Sequence, residues 1–444
     1  MPFITLYLIR TKAISKKKDM KIEVFTQVMN YLRDIIKGTE FEGHVFAVGG
    51  CVRDKNLGHD IKDIDLVVDL LNGGIVFAKH LQSRGYTEGT VVVYENYGTA
   101  MVRLKEFPDV ELEFVQTRKE SYHDAKTRNP DTYFGTIEDD CMRRDFTINA
   151  LYYNISEGKE YDFNGNGLND LKDGIIDTCG DPDIIFDEDP LRILRAVRFS
   201  SRLGYSISER TKRGMDKNKG RLKIISQERI TDEFNKIMSG PNPDIGFELL
   251  YYHGLLQYVL PEMQALAYEF LPDITRRLHN IEVETRWRGM GQLYPILAYF
   301  AWLVGAYSFR EVMIRMKYSN DDISTILKCM AGYEKALETD VHRKERYLYE
   351  LEYLCGDSKI YDIALVILLS EYGSCWEPMM PESKHRMFGY ALPVNGNDVM
   401  EVLGIGPGPK IGKVLNDLMN DAFVEPNITR EECMDLIKLR FADK

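Results

Sequence analysis

Apolar residues recur every three or four positions from Lys21 to about Lys37, at Val24, Phe25, Val28, Met29, Leu32, Ile35 and Ile36, which predicts an amphipathic helix near the start of the chain. The period then changes. Between residues 44 and 165 the apolar side chains gather in short runs rich in β-branched and aromatic residues, each closed by turn residues. These are His44 to Val48, Ile64 to Val68, Val91 to Tyr94, Ala100 to Leu104, Val110 to Val115 and Ala150 to Asn154, and they predict a small sheet carrying helices. After about Gly174 helical patterns take over and continue to the C-terminus, among them Ile230 to Met238, Ile245 to Val259 and Arg346 to Leu354. Gly404-Ile405-Gly406-Pro407-Gly408-Pro409 interrupts them, and Lys410 to Met419 starts a further helix. The pattern predicts an α+β head followed by an all-α remainder.

A chain of 444 residues exceeds a single ordinary core. The expected division is an N-terminal extension and helix (1–43), the head (44–173), connecting helices forming a neck (174–240), a helical body (241–390) and a helical tail (391–444). The apolar start of the chain is followed, not preceded, by Arg10, Lys12 and Lys16-Lys17-Lys18, the reverse of a secretory signal, so residues 1–19 read as an extension and Met20 opens the folded part. No apolar run has the length of a membrane span. The seven cysteines form no Cys-x-x-Cys pair, which predicts reduced thiols in a cytoplasmic compartment and no zinc site.

The formal charge of −12 excludes a uniformly basic nucleic-acid binder. The average hides a reversal, because Arg192 to Arg229 carries twelve Lys or Arg against three acids, a surplus of nine. Such a band can dock an RNA backbone on an otherwise acidic protein.

The chemistry concentrates around Gly49-Gly50-Cys51-Val52-Arg53-Asp54 and the following Asp63-Ile64-Asp65-Leu66-Val67-Val68-Asp69. Side chains alternate on a strand, so Asp63 and Asp65 share one face roughly 6 to 7 Å apart while Ile64 and Leu66 face the core. Two hard-oxygen ligands on one face suit Mg²⁺, and a glycine turn opening a helix lets phosphate approach the backbone. Nucleotidyl transfer needs its phosphoryl charge neutralised, which carboxylates achieve through two Mg²⁺ ions about 3.5 to 4 Å apart. Glu113, in Val110-Glu111-Leu112-Glu113-Phe114, is the candidate third carboxylate; a solvated strand face explains Glu111 and Glu113 equally well.

Two further clusters follow. In Cys141-Met142-Arg143-Arg144-Asp145-Phe146-Thr147-Ile148-Asn149-Ala150, Arg144 can neutralise triphosphate oxygens, and Asp145 with Asn149 can read sugar hydroxyls. In Asp187-Glu188-Asp189-Pro190-Leu191-Arg192-Ile193-Leu194-Arg195-Ala196-Val197-Arg198-Phe199, Asp189 is placed to cap a helix with Pro190 at its first position. Glu188, Asp189, Arg192 and Arg195 then fall in one arc opposite Ile193, Leu194 and Val197, with Arg198 at the edge of the arc. An Asp beside an Arg matches cytosine and adenine, each of which offers an amino donor next to a ring-nitrogen acceptor, and mismatches uracil and guanine. Asp189 and Arg192 can thus select C and A by protein contacts alone.

Together with Arg221-Leu222-Lys223-Ile224-Ile225-Ser226-Gln227-Glu228-Arg229-Ile230, these ordered motifs resemble the class II CCA-adding tRNA nucleotidyltransferases and their relatives the bacterial poly(A) polymerases. The resemblance covers about residues 44–265. It returns over 392–440, where Pro393-Val394-Asn395-Gly396-Asn397-Asp398 and Gly406-Pro407-Gly408-Pro409-Lys410-Ile411-Gly412 are similar to the family's tail. It implies a polymerase-β-like nucleotidyltransferase head followed by neck, body and tail, adding C, C and A to the 3′ end of tRNA from CTP and ATP with Mg²⁺, without membrane or DNA. On matching positions it implies Asp63 and Asp65 as catalytic metal ligands. Gly50, Arg53, Arg144, Asp189, Arg192, Arg195 and Arg198 would bind the nucleotide, and the basic band would face tRNA. Poly(A) synthesis and a catalytically silent tRNA-binding protein are the alternatives. The poly(A) branch usually carries a Gly followed by two basic residues where this chain has Tyr97-Gly98-Thr99-Ala100, and Arg118 to Asp140, with Tyr122, Asp124, Arg128 and Pro130, resembles the intact loop that terminal A addition requires. The chain's adjacent His-Asp pairs, His59-Asp60 and His123-Asp124, lie in the head, and residues 266–390 hold only the isolated His279, His342 and His385, so no phosphohydrolase activity is expected.

Overall fold

The computed structural model describes residues 20–95, 98–121, 131–337, 358–372, 390–422 and 427–442. Two compact units emerge, Met1–Ile225 and Ser226–Lys444. The division falls inside the segment expected to be the neck, because residues 174–225 pack with the head.

In the first unit, helix α1 (Ile22–Ile36) buries Phe25, Val28, Met29, Leu32 and Ile36, the face its periodicity marks. A seven-stranded sheet follows, with strands β1 (Val45–Val48), β2 (Ile64–Val68), β3 (Val92–Tyr94), β4 (Thr99–Leu104), β5 (Phe107–Gln116), β8 (Tyr152–Asn154) and β9 (Lys159–Tyr161) in the order β3-β4-β5-β2-β1-β8-β9. Strands β6 (Arg118–Ser121) and β7 (Asp131–Phe134) form a separate antiparallel ribbon. Only the β2–β5 pairing within the large sheet is parallel. All four residues of β1 are buried, as befits a central strand covered on both faces.

Each of the six apolar runs is a strand. Ala150 and Leu151 drop out because Thr147–Asn149 close a 3₁₀ turn ahead of β8. The sequence pattern misses β6 and β7, which lie in the segment read as a loop, β9, whose three residues are exposed or half-buried, and a parallel pair of two-residue strands, β10 (Ile175–Ile176) and β11 (Ser206–Ile207). The helices on this frame are α2 (Gly50–Asn56), α3 (Gly73–Ser83), α4 (Ile137–Met142), α5 (Gly167–Asp173), α6 (Pro182–Glu188), α7 (Leu191–Leu203) and α8 (Glu209–Asn218).

The second unit contains no named strand among its described residues. Its helices are α9 (Gln227–Met238), α10 (Pro243–Tyr252), α11 (Leu256–Val259), α12 (Glu262–Trp287), α13 (Leu293–Val304), α14 (Ala306–Arg315), α15 (Asn320–Leu337), α16 (Ser358–Tyr372), α17 (Gly396–Leu403), α18 (Pro409–Ala422) and α19 (Arg430–Phe441). The pattern over Ile245 to Val259 resolves into α10 and α11, separated by a turn in which Gly254 adopts φ +63°. Pro272 kinks α12, with Phe270 leaving helical geometry at φ −124°. The last three helices share a small core of Val399, Val414, Leu418, Cys433 and Ile437, and capping boxes at Asn395 and Thr429 start two of them. The helix expected over Arg346 to Leu354 lies outside the described residues, as do residues 1–19, Tyr97, His342, His385 and the loop positions Tyr122, His123, Asp124, Arg128 and Pro130. Among the described residues no helix is long and apolar enough to cross a membrane.

Candidate active site

Gly49 turns the end of β1 into α2 with φ +79° and ψ −134°, a conformation that L side chains rarely adopt. A Cβ at this position would lie 3.8 Å from Nη1 of Arg144 and 3.9 Å from Oδ2 of Asp65. The missing methyl group therefore leaves one small space bordered by an aspartate from β2, an arginine from the segment after α4 and the backbone start of α2. Gly50 is the first residue of that helix.

Asp63 and Asp65 are exposed, whereas Ile64 and Leu66 are buried, as alternation on β2 requires. Asp65 pairs in register with Val48 on β1 and with Glu113 on β5. Glu111, two residues earlier, instead meets Arg103 of β4 at 3.1 Å. The two glutamates, which alternation places on one face of β5, are thus separated by their cross-strand partners. Among the described residues no three His, Cys, Asp or Glu side chains converge as a preformed metal cluster. Asp63 and Asp65 fit Mg²⁺ by donor chemistry: both are exposed carboxylates, and Asp65 borders the Gly49 turn.

Arg144 is held from behind by Asp140 and Tyr152, neither of which the sequence reading singled out. The Asp140 carboxylate is fully buried. Its Oδ1 accepts from Nε and Nη2 of Arg143 at 3.0 and 2.6 Å, and its Oδ2 from Nε and Nη2 of Arg144 at 3.1 and 2.9 Å. The Tyr152 hydroxyl donates to the same Oδ2 at 2.9 Å and accepts from Arg144 Nε at 3.0 Å. Burial pushes the Asp140 carboxyl up, but Arg144 and Arg143 more than reverse this and hold it well below the usual carboxylate range. The available signal was spacing: Asp140 precedes Arg143 and Arg144 by three and four residues at the end of a helix.

A second set of bonds runs from α2 to α7. Arg53, only 3% exposed, donates Nε to Asp54 at 2.8 Å and Nη1 to Oδ1 of Asn149 at 2.6 Å. Asn149 Nδ2 donates to Oδ1 of Asp145 at 3.1 Å, and Arg195 Nε donates to Oδ2 of Asp145 at 2.8 Å. The Phe146 amide adds a further bond to Asp145 Oδ1 at 2.8 Å. Burial pushes the Asp145 carboxyl up, but Arg195 and these donors outweigh it and hold the group at about 2. Both Asp145 oxygens and both Asn149 side-chain heteroatoms are bonded within the protein, which fixes the orientation of the two groups expected to read the sugar hydroxyls.

The start of α7 follows the expected pattern. Asp189 is extended and accepts the Leu191 amide at 3.2 Å, and Pro190 already has helical dihedrals. Arg192 bonds the Arg143 carbonyl at 2.8 Å and Glu188 at 3.3 Å. Ile193, Leu194 and Val197 are buried, and Arg192, Arg195 and Arg198 lie half-buried on the other side. The Phe199 ring, to which the sequence assigns no role, lies beneath the guanidinium carbons of Arg53, Arg195 and Arg198, 5.2, 5.5 and 4.6 Å from its centroid.

The basic band is less positive than its own residues imply. Arg210 pairs with Asp177, Lys217 with Asp183 and Arg221 with Asp187. The partner acids lie just upstream of the band, where a count from Arg192 to Arg229 does not reach them.

Residues 45–177 match the model of the poly A polymerase head domain, and residues 204–266 that of the probable RNA and SrmB- binding site of polymerase A. The fold is similar to that of the Bacillus stearothermophilus CCA-adding enzyme solved with CTP, with a TM-score of 0.67 and 24% identity over 92% of this chain and 96% of that one. It is also similar to the Thermotoga maritima CCA-adding enzyme complexed with tRNA, with a TM-score of 0.66 and 23% identity over 96% and 97%. The CCA-adding enzyme of Limosilactobacillus fermentum is 30% identical over 418 residues, covering 90% of this chain and 94% of that protein. On this likeness along nearly its whole length, the chain belongs to the CCA-adding enzyme family of tRNA nucleotidyltransferases.

Proposed function

We propose that this chain adds CCA to the 3′ end of tRNA, taking CTP and ATP and using no nucleic-acid template. The observation that carries the reading is the turn at Gly49, where Oδ2 of Asp65 and Nη1 of Arg144 would both lie within 4 Å of a Cβ. A reaction that joins a nucleoside monophosphate to a hydroxyl needs an anion-neutralising group and a metal-binding carboxylate at the same phosphate, and this turn supplies both.

Asp63 and Asp65 are the residues that would hold Mg²⁺, which supplies charge neutralisation at the phosphoryl group and a more acidic attacking hydroxyl. Arg144, fixed by Asp140 and Tyr152, faces the triphosphate. The backbone at Gly50 opens the helix that would receive phosphate, and Arg53 of the same helix would add its charge. Asp189 and Arg192 select cytosine and adenine through their paired acceptor and donors, while Arg195 and Arg198 line the same helix. Among the described residues Cys51, Cys141, Cys179, Cys329 and Cys433 are free thiols, which supports a reducing, cytoplasmic location.

The test is a gel assay of the purified protein with Mg²⁺ and a tRNA ending at the discriminator base, given CTP alone, ATP alone or both. Addition of three nucleotides followed by arrest is the expected result. An open-ended ladder with ATP alone would make the chain a poly(A) polymerase, and absence of product would favour a silent tRNA binder.

A further inference from the structure

Phe199 closes the α7 motif as an apolar residue among arginines, only 5% exposed, and nothing in the chemistry of nucleotidyl transfer calls for a phenyl ring there. Its surroundings supply a reason. Arg53 comes from the helix after the glycine turn, and Arg195 and Arg198 come from α7, yet all three guanidinium carbons stand over this one ring. Three like charges in so small a volume repel one another. Carboxylates offset part of this, Asp54 at Arg53 and Asp145 at Arg195. The ring adds the negative quadrupole that attracts all three, with no carboxylate oxygen to compete for their N–H groups. Phe199 is in turn fixed edge-on by the fully buried Phe146, with centroids 5.8 Å apart and planes at 76°.

We propose that Phe199 is a positioning residue for nucleotide recognition: its ring holds Arg195 and Arg198 in register with Arg53, so that the triphosphate-side and base-side cations are presented as one preformed set. The ring touches no reacting atom. It acts through the guanidiniums, and its loss lets them move apart under their own repulsion. The inference rests on the nucleotidyl-transfer reading above and adds a residue to it.

The test compares wild type with F199L and F199M, which keep apolar volume but remove the ring, and with F199Y and F199W, which keep an aromatic face. Each is first checked for folding by thermal melting and circular dichroism. Steady-state incorporation is then measured with CTP, ATP, UTP and GTP on a tRNA lacking CCA. For F199L and F199M the expected result is a KM for CTP and ATP raised about tenfold, the size of two or more partly desolvated cation–π contacts, with kcat changed less than about threefold. Misincorporation of UTP and GTP should rise relative to CTP and ATP. F199Y and F199W should restore both toward wild type.

Folded F199L or F199M with wild-type KM and selectivity overturns the proposal. An equal loss in the aromatic variants also overturns it, because that marks a demand for core shape and not for a π face. Failure of both aliphatic variants to fold overturns it on the same ground. Inactive wild-type protein instead defeats the nucleotidyl-transfer reading itself, so the two failures are told apart by the wild-type lane.

Discussion

Asp65 and Glu113 occupy the same register position on the two parallel strands of the sheet, and Glu111, on the same strand as Glu113, is tied to Arg103. Opposite positions on neighbouring strands bring side chains about 4.5 to 5.5 Å apart, within reach of a shared cation's ligand sphere. E113Q and D65N should therefore each lower kcat at least about 100-fold at saturating Mg²⁺ with tRNA affinity unchanged, a loss of the size seen when one preorganised charge-stabilising group is removed. E111Q should cost no more than about 1 kcal/mol of stability and leave kcat alone, as its arginine is half-exposed. Quench-flow incorporation and a tRNA gel shift on the three variants check this. Equal effects of E113Q and E111Q would remove Glu113 from the site.

Asp140 is the buried anion that neutralises two arginines. D140N leaves both facing an uncharged amide and should cost on the order of 3 kcal/mol of stability, since breaking a buried pair strands the remaining charge. It should also raise the KM for nucleotides, because Arg144 loses its orientation. Denaturant unfolding and steady-state kinetics measure the two effects. D140N with wild-type stability would show that solvent, and not Asp140, satisfies the arginines.

The same carboxylates set a pH dependence. Asp145 is held at about 2 and Asp140 is also held below the ordinary carboxylate value. Depressed values mean that the unfolded chain binds these protons first as pH falls. Their contribution is therefore complete above the unfolded carboxylate pKa of about 4 and is lost as pH falls from there toward about 2. Thermal melting between pH 6 and pH 2 should show this decline, and D145N should flatten it. An unchanged slope in D145N would contradict the assignment.

Gly214 lies where α8 crosses α6, and a Cβ there would meet the Pro182 Cβ at 2.4 Å. Ordinarily a helical Gly→Ala change gains up to about 1 kcal/mol. Here overpacking, typically about 1 to 3 kcal/mol, should win, so G214A should lower the melting temperature. It should weaken nucleotide binding as well, because α6 ends at the Asp189 turn. A more stable G214A would mean that α6 and α8 can separate freely.

Strands β1 to β5 and β8 were legible because each is a short apolar run bounded by turn residues, and α1 because a helix buried on one face must repeat every three to four residues. Asp63 and Asp65 were legible for the same reason: alternation places them on one face without knowledge of neighbours. Asp140, Tyr152 and Phe199 were not, since their partners come from other elements and nothing in an isolated Asp or Phe announces a nearby guanidinium. Strand order was likewise hidden. The sequence cannot say that β5 lies beside β2 or in which register, so it could name Glu113 as a candidate but not show that it stands opposite Asp65. The network that ties Asp145 and Asn149 to Arg53 and Arg195 was hidden as well, because its members come from different elements.

The pairing of Arg210, Lys217 and Arg221 with Asp177, Asp183 and Asp187 changes how this surface would respond to salt. A cation that already has a carboxylate partner carries little condensed counter-anion, and a phosphate that captures it must displace that carboxylate. RNA docking there exchanges one fixed anion for another and releases fewer small ions than a bare cluster of twelve would. The slope of affinity against ionic strength then reports the cations outside these pairs, such as the exposed Arg213 and Lys223, and the intervening acids act as a filter that favours a rigid, correctly spaced backbone over any polyanion.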